Sequence, residues 1–168
     1  MATSVEKRFA NYMVSCCPVY SSLEQVRHFD FVAELNDPQR QHMSLELMWK
    51  ADVVRDIAGV PMIIHSAYAI SGHSNPNSTH YRGLALDWHL KYHTLEEMFR
   101  LAYLVGFTGI GVYPEWNNPG LHTDVRQLLP GQSIATWEAH YKWIGEEGRR
   151  KKVQVYEALS DKYRRLMG

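Results

Sequence analysis

The sequence predicts an α+β fold: a small, largely antiparallel sheet flanked by helices, in one domain spanning residues 1–168. Three observations predict it. The chain has 168 residues and a 45% hydrophobic share, enough for one core and short for two domains. Short apolar runs bounded by Gly, Pro, Asn and Ser recur through its middle, as strands between turns do. Longer stretches on either side repeat apolar residues at helical spacing.

The start, Met1 to Arg8, is charged and leads into no apolar h-region, and no run approaches the ~18 apolar residues of a membrane span. The expectation is a soluble chain made in the cytoplasm without a secretory signal. The only cysteines, Cys16 and Cys17, are neighbours and cannot staple distant segments, so packing, or packing plus a metal, must hold the fold. Asp37-Pro38 supplies a helix N-cap and a favourable first residue, and Met43, Leu47, Met48, Ala51, Val54 and Ile57 continue a helix to Gly59. A short apolar strand starts at Pro61-Met62-Ile63-Ile64, a Ser-, Asn- and Pro-rich loop covers Gly72 to Ser78, and a second strand covers Leu84 to Leu90. Thr94 and Glu97 form a capping box for a helix that Gly106 ends. Strands over Thr108 to Tyr113 and Leu121 to Val125 bracket a turn-rich segment, 114–120. The basic run Arg149-Arg150-Lys151-Lys152 reads as the solvated start of a last helix reaching about Leu166.

Eighteen Lys and Arg balance eighteen Asp and Glu. A net charge of zero gives no field to steer the chain to nucleic acid or into an acidic membrane, so neither is an expected partner. The count that stands out is nine His, a residue type that binds metals and exchanges protons near neutral pH.

Chemistry concentrates in Ser78-Thr79-His80-Tyr81-Arg82-Gly83-Leu84-Ala85-Leu86-Asp87 and, further on, Gly120-Leu121-His122-Thr123-Asp124-Val125-Arg126. Two imidazoles and a carboxylate suit zinc, which in catalytic sites takes three protein ligands and keeps a fourth position open. His80, Asp87 and His122 would supply them, with a turn at Gly83 folding the first two onto one ion and His122 arriving from an adjacent strand. Asp124, two residues beyond His122, would share its strand face and could orient the imidazole as an acceptor; an ion pair with Arg126 fits the same spacing. His73 in the preceding loop could act as acid, base or donor, or be an exposed loop residue. His89 shares the face of Asp87, whereas His28, His42, His65, His93 and His140 carry no ligating spacing. Trp88, Tyr113, Trp137, Tyr141 and Trp143 read as core and sheet-covering residues, while Trp116 sits in the loop beside the site and could line a groove.

His80-x-x-Gly83-x-Ala85-x-Asp87, followed by Gly109-Ile110-Gly111-Val112-Tyr113-Pro114 and then His122-x-Asp124, resembles the M15 zinc peptidases: D-Ala-D-Ala carboxypeptidases, L-alanyl-D-glutamate endopeptidases and related murein hydrolases. The zinc segment of the Hedgehog signalling domain is also similar. The resemblance spans about 61–126 and implies that His80, Asp87 and His122 are zinc ligands. Two positions depart from it. Many members carry an acidic base three residues before the last His, where this chain has Pro119, so Glu115 becomes the candidate catalytic base, with an exposed turn residue as the alternative. Many also carry Ser-Gly-Tyr-Arg upstream, where this chain has Ser66-Ala67-Tyr68-Ala69. The lost guanidinium removes a bidentate grip on a terminal carboxylate, which favours endopeptidase over carboxypeptidase action. Arg82 is the candidate to compensate, a surface ion pair its other fate.

The implied function is a zinc-dependent peptidase cleaving stem or cross-bridge peptides of peptidoglycan and acting at the cell wall, where a phage-type release, a tail-borne or injected particle, or a leader absent from this sequence would each bring it. Pro119 and Ala69 keep a second expectation open, a zinc-stabilised binding module of the same fold without turnover.

Overall fold

The computed structural model describes residues 4–15, 22–29, 41–73, 75–145 and 151–168. Its fold is mixed α+β, as the sequence predicts, but the sheet is larger: six strands in the order β1-β2-β4-β3-β5-β6. An N-terminal helix α1 (Ser4–Ser15) precedes α2 (Leu45–Ala58), β1 (Met62–Ser66), β2 (Ala85–Leu90), α3 (Leu95–Val105), β3 (Gly109–Tyr113), β4 (Gly120–Asp124), β5 (Ala135–Ile144), β6 (Lys151–Glu157) and a short α4 (Asp161–Arg164). All neighbouring strands pair antiparallel except β3 and β5, which run parallel. No described helix is long and apolar enough to cross a membrane.

Two expected elements differ. Asp37 and Pro38 lie outside the described residues, and so do Cys16 and Cys17; α2 itself begins at Leu45. Ser44 is its N-cap, with extended backbone angles and its side chain accepting from Leu47 N. The Ser44 N–H donates to Gly83 O at 2.9 Å, so a contact with a distant turn interrupts the continuous helix the periodicity suggests. The second difference is at the C-terminus, where Lys151 and Lys152 open strand β6 instead of a helix. Val153 and Val155 alternate with Lys152, Gln154 and Tyr156, a period of two that pairs with β5, and helical structure resumes only at Asp161. Helix α3 forms as expected: Thr94 Oγ1 accepts from Glu97 N, the Glu97 carboxylate accepts from Thr94 N, and Gly106 ends the helix at φ 87°.

Strand alternation divides the sheet into two faces. Leu86, Trp88 and Leu90 of β2, Ile110 and Val112 of β3, and Leu121 of β4 point to one side and are buried with Leu47, Met48, Ala51 and Val54 of α2 and Met98, Phe99, Leu101 and Ala102 of α3. Trp88 satisfies its indole N–H within this layer by donating to Thr123 Oγ1 at 2.8 Å. The opposite face carries Asp87 and His89, His122 and Asp124, Gly109, Gly111 and Tyr113, and Trp137. Polar chemistry is thus confined to one face and the core to the other.

Candidate functional site

Register assembles the site. Asp87 and His122 are direct cross-strand partners in the antiparallel β2–β4 pair, so their side chains emerge side by side on the polar face. His80 reaches them from a 3-10 turn, Thr79–Arg82, that leads into β2. Ser78 caps this turn by accepting from His80 N, and Gly83 closes it in the left-handed region at φ 65°.

The three residues present converging donors. His80 Nδ1 lies 2.6 Å from Ala67 O, which only an N–H can satisfy, so its Nε2 carries the lone pair. That Nε2 is 3.2 Å from Asp87 Oδ1 and 3.2 Å from His122 Nδ1, and His122 Nδ1 is 2.9 Å from Asp87 Oδ1. An ion with tetrahedral bonds of ~2 Å holds its ligand atoms ~3.3 Å apart, so the donor set fits one zinc ion with little movement. His80 and His122 are buried, Asp87 partly exposed. Burial disfavours the Asp87 carboxylate, but the hydrogen bond that His122 donates outweighs it and holds the group ionised well below the usual carboxylate range.

Asp124 fills both roles its spacing allowed. Its Oδ2 lies 3.1 Å from His122 Nε2, fixing that imidazole so that Nδ1 turns toward Asp87. Arg126 Nε lies 2.8 Å from Asp124 Oδ1, its Nη2 contacts Oδ2, and the guanidinium sits 5.4 Å from the Trp137 ring centroid. Asp124 itself is fully buried and anionic: burial opposes the charge, and hydrogen bonds from Arg126 and His122 overcome it. Gly109 and Gly111 make this layer possible, since a Cβ on Gly109 would fall 2.4 Å from the Asp124 carboxylate and one on Gly111 2.4 Å from the Trp137 ring.

The donors lie in a cleft of about 770 Å³. His73 lines it, stacked on His80 with ring centroids 4.5 Å apart, and its backbone is held by Tyr81, whose hydroxyl accepts from His73 N at 2.9 Å and donates to His73 O at 3.1 Å. Its pKa is lowered, first by burial and then by the neighbouring His80. Trp116 lines the cleft too, stacked on Tyr113 at 4.1 Å, and Arg82 lies on its rim without a carboxylate partner among the described residues. Glu115 does not line it. Its carboxylate is taken up by β5, where Tyr141 N donates at 3.0 Å and His140 Nδ1 lies at 3.3 Å.

Several features of the site escaped the sequence reading. Trp137 and Tyr113 are cleft walls rather than core covering, and Trp143 is 65% exposed. Trp137 Nε1 donates to the Tyr113 hydroxyl at 3.3 Å, while burial raises the Tyr113 pKa and keeps it protonated. Strand β6 forms the far wall through Lys151, Lys152, Gln154 and Tyr156; alternation around Val153 and Val155 was the available signal. His89 turns away to His65, 2.7 Å distant.

No curated protein and no solved structure matches the chain. A family model described as Peptidase M15 does match, over residues 24–124, well beyond the 61–126 stretch at its N-terminal side and covering more than half of the chain, including every candidate ligand. With the His-Asp-His group inside the matched segment, the chain belongs to the peptidase M15 family.

Proposed function

We propose that the protein is a zinc-dependent endopeptidase acting on the peptides of bacterial peptidoglycan. The observation that carries the reading is the His80–Asp87–His122 group on the cleft floor, with both imidazoles oriented by fixed partners, Ala67 O and Asp124. Zinc held there would supply Lewis acidity for a peptide carbonyl and make water acidic near neutral pH. The chain's own residues do the rest. His80 offers a lone pair because Ala67 O holds its other nitrogen protonated, and Asp124 with Arg126 keeps His122 from rotating. His73, over His80 and open to the cleft, is the group we assign to take a proton from the attacking water and return it to the leaving amine. Glu115, committed to β5, is not so placed. The neutral Tyr113 hydroxyl lies in the cleft wall as a hydrogen-bond donor toward developing negative charge. Ala69 in place of a guanidinium favours cleavage within a chain over removal of a terminal residue.

One observation favours a second reading, a zinc-stabilised peptide-binding module: Asp87 is the only carboxylate among the described residues that line the cleft, leaving no free acidic base. Incubation with purified peptidoglycan, with and without chelator, separates the two. Metal-dependent release of new amino groups is expected, and His73→Gln should lower the rate ~100-fold or more with zinc content intact, Glu115→Gln only slightly. Binding to peptidoglycan without release would establish the module instead.

A further inference from the structure

The strand β6 wall lies outside the matched segment, which ends at residue 124, yet it faces the candidate metal group across the cleft. Its placement follows from register. Gly111 pairs with Trp137, and Tyr156, Gln154 and Lys152 pair in turn with Ala139, Tyr141 and Trp143, so these three β6 side chains share the face that bears His122, while Lys151, paired with Ile144, alternates to the other face and borders the cleft at the first residue of the strand. Lys152 Nζ rests 4.2 Å from the Tyr141 ring centroid, which steadies the side chain on that face.

The charge of the cleft is one-sided. Among the described residues, Arg82, Arg126, Lys151 and Lys152 line it against the single carboxylate of Asp87. Arg126 is neutralised by Asp124, whereas Arg82, Lys151 and Lys152 have no carboxylate within 4.0 Å among the described residues. The whole chain is neutral, so this excess is local to the cleft. A peptide crossing the metal group passes between Arg82 on the loop side and the two lysines on the hairpin side.

We infer that the β5–β6 hairpin is a carboxylate-recognition wall, with Lys152 on the cleft face and Lys151 beside it at the cleft edge selecting peptides that carry a free carboxylate next to the segment bound over the metal group. This deepens the peptidase reading and rests on it for the identity of the ligand as a peptide. It assigns to the hairpin the anion-holding task that Ala69 cannot perform, with flexible ammonium groups in place of a planar fork. Exposed charges of this kind act over a Debye length and are screened by salt, so the preference is modest and ionic-strength dependent.

The test is a binding measurement on the zinc-loaded full chain, read from the tryptophan fluorescence of Trp116 and Trp137 in the cleft walls. The probes are a synthetic cell-wall stem peptide with free carboxylates and the same peptide with every carboxylate amidated. The expected result is ~10-fold tighter binding of the free acid at low salt, a gap that closes at high salt and disappears in Lys151→Gln/Lys152→Gln, with zinc content and melting temperature unchanged. Equal affinity for both peptides, no binding of either, or a preference that survives the double substitution would overturn the inference. Turnover is scored separately: a preserved preference without cleavage refutes the peptidase and leaves the hairpin's role standing.

Discussion

His122 is the most constrained residue of the site. Its Nδ1 faces Asp87 and His80, its Nε2 faces Asp124, and it is only 7% exposed. Burial opposes a charged imidazole, but hydrogen bonds to Asp124 and Asp87 outweigh burial and push its pKa from 6.5 up to about 9. The metal-free protein therefore holds a proton on His122 at neutral pH, and a ligating nitrogen must give it up. The sign follows from linkage: a raised pKa stabilises the metal-free fold fully below 6.5, and that contribution is lost as pH rises through about 9. Two consequences can be measured together. Zinc addition at pH ~7 should release about one proton, read by calorimetry in buffers of different ionisation enthalpy, and zinc affinity should climb with pH until about 9. Asp124→Asn should shrink the release by lowering the His122 pKa. Zinc binding without proton release would mean that His122 is already neutral and that the two carboxylates do not hold it as described.

The turn that presents His80 depends on Gly83 in two ways. Its φ of 65° favours a residue without Cβ, and a Cβ built there would lie 1.7 Å from the His42 carbonyl oxygen, a backbone atom that cannot swing aside. Gly83→Ala should therefore cost ~2 kcal/mol or more in a urea titration, since the left-handed conformation alone accounts for ~1–2 kcal/mol, and should weaken zinc binding by displacing His80. Wild-type stability in that variant would contradict the close packing of the turn against the segment before α2. The turn and α3 were legible because Gly83, Gly106 and the Thr94–Glu97 box are local signals, each written within a few residues. The start of α2 was not: both Asp37 and Ser44 are good caps, and the bond from Ser44 N to Gly83 O that distinguishes Ser44 joins residues far apart in sequence. Strand β6 was hidden for the same reason. A basic run followed by two valines supports helix or strand weakly, and pairing with β5 decides it. Glu115 shows the limit at a site: its nearness to Tyr113 in sequence gives no hint that β5 takes its carboxylate.

At the scale of the molecule, the two faces of the sheet have separate physical jobs. The apolar face, with Trp88, Leu121, Ile110 and the buried residues of α2 and α3, forms one continuous core that includes no candidate ligand, while α1 is tied on by the Glu6–Arg100 pair at 2.6 Å. The polar face is built on strands already fixed from behind, so its donors are in place before any ion arrives. That arrangement distinguishes the protein from small zinc folds, in which the metal replaces a core and the chain unfolds without it. A ligand that binds only the native state adds ~2.7 kcal/mol when present at ~100 times its dissociation constant. For a domain of this size each kcal/mol moves the melting temperature by ~2–4 °C. Chelation should therefore lower the melting temperature by roughly 5–10 °C while the far-ultraviolet circular dichroism at 25 °C stays that of the zinc-loaded protein. Loss of the dichroism signal on chelation would place the ion among the determinants of the fold, and would mean that the core behind the sheet cannot hold the strands in register alone.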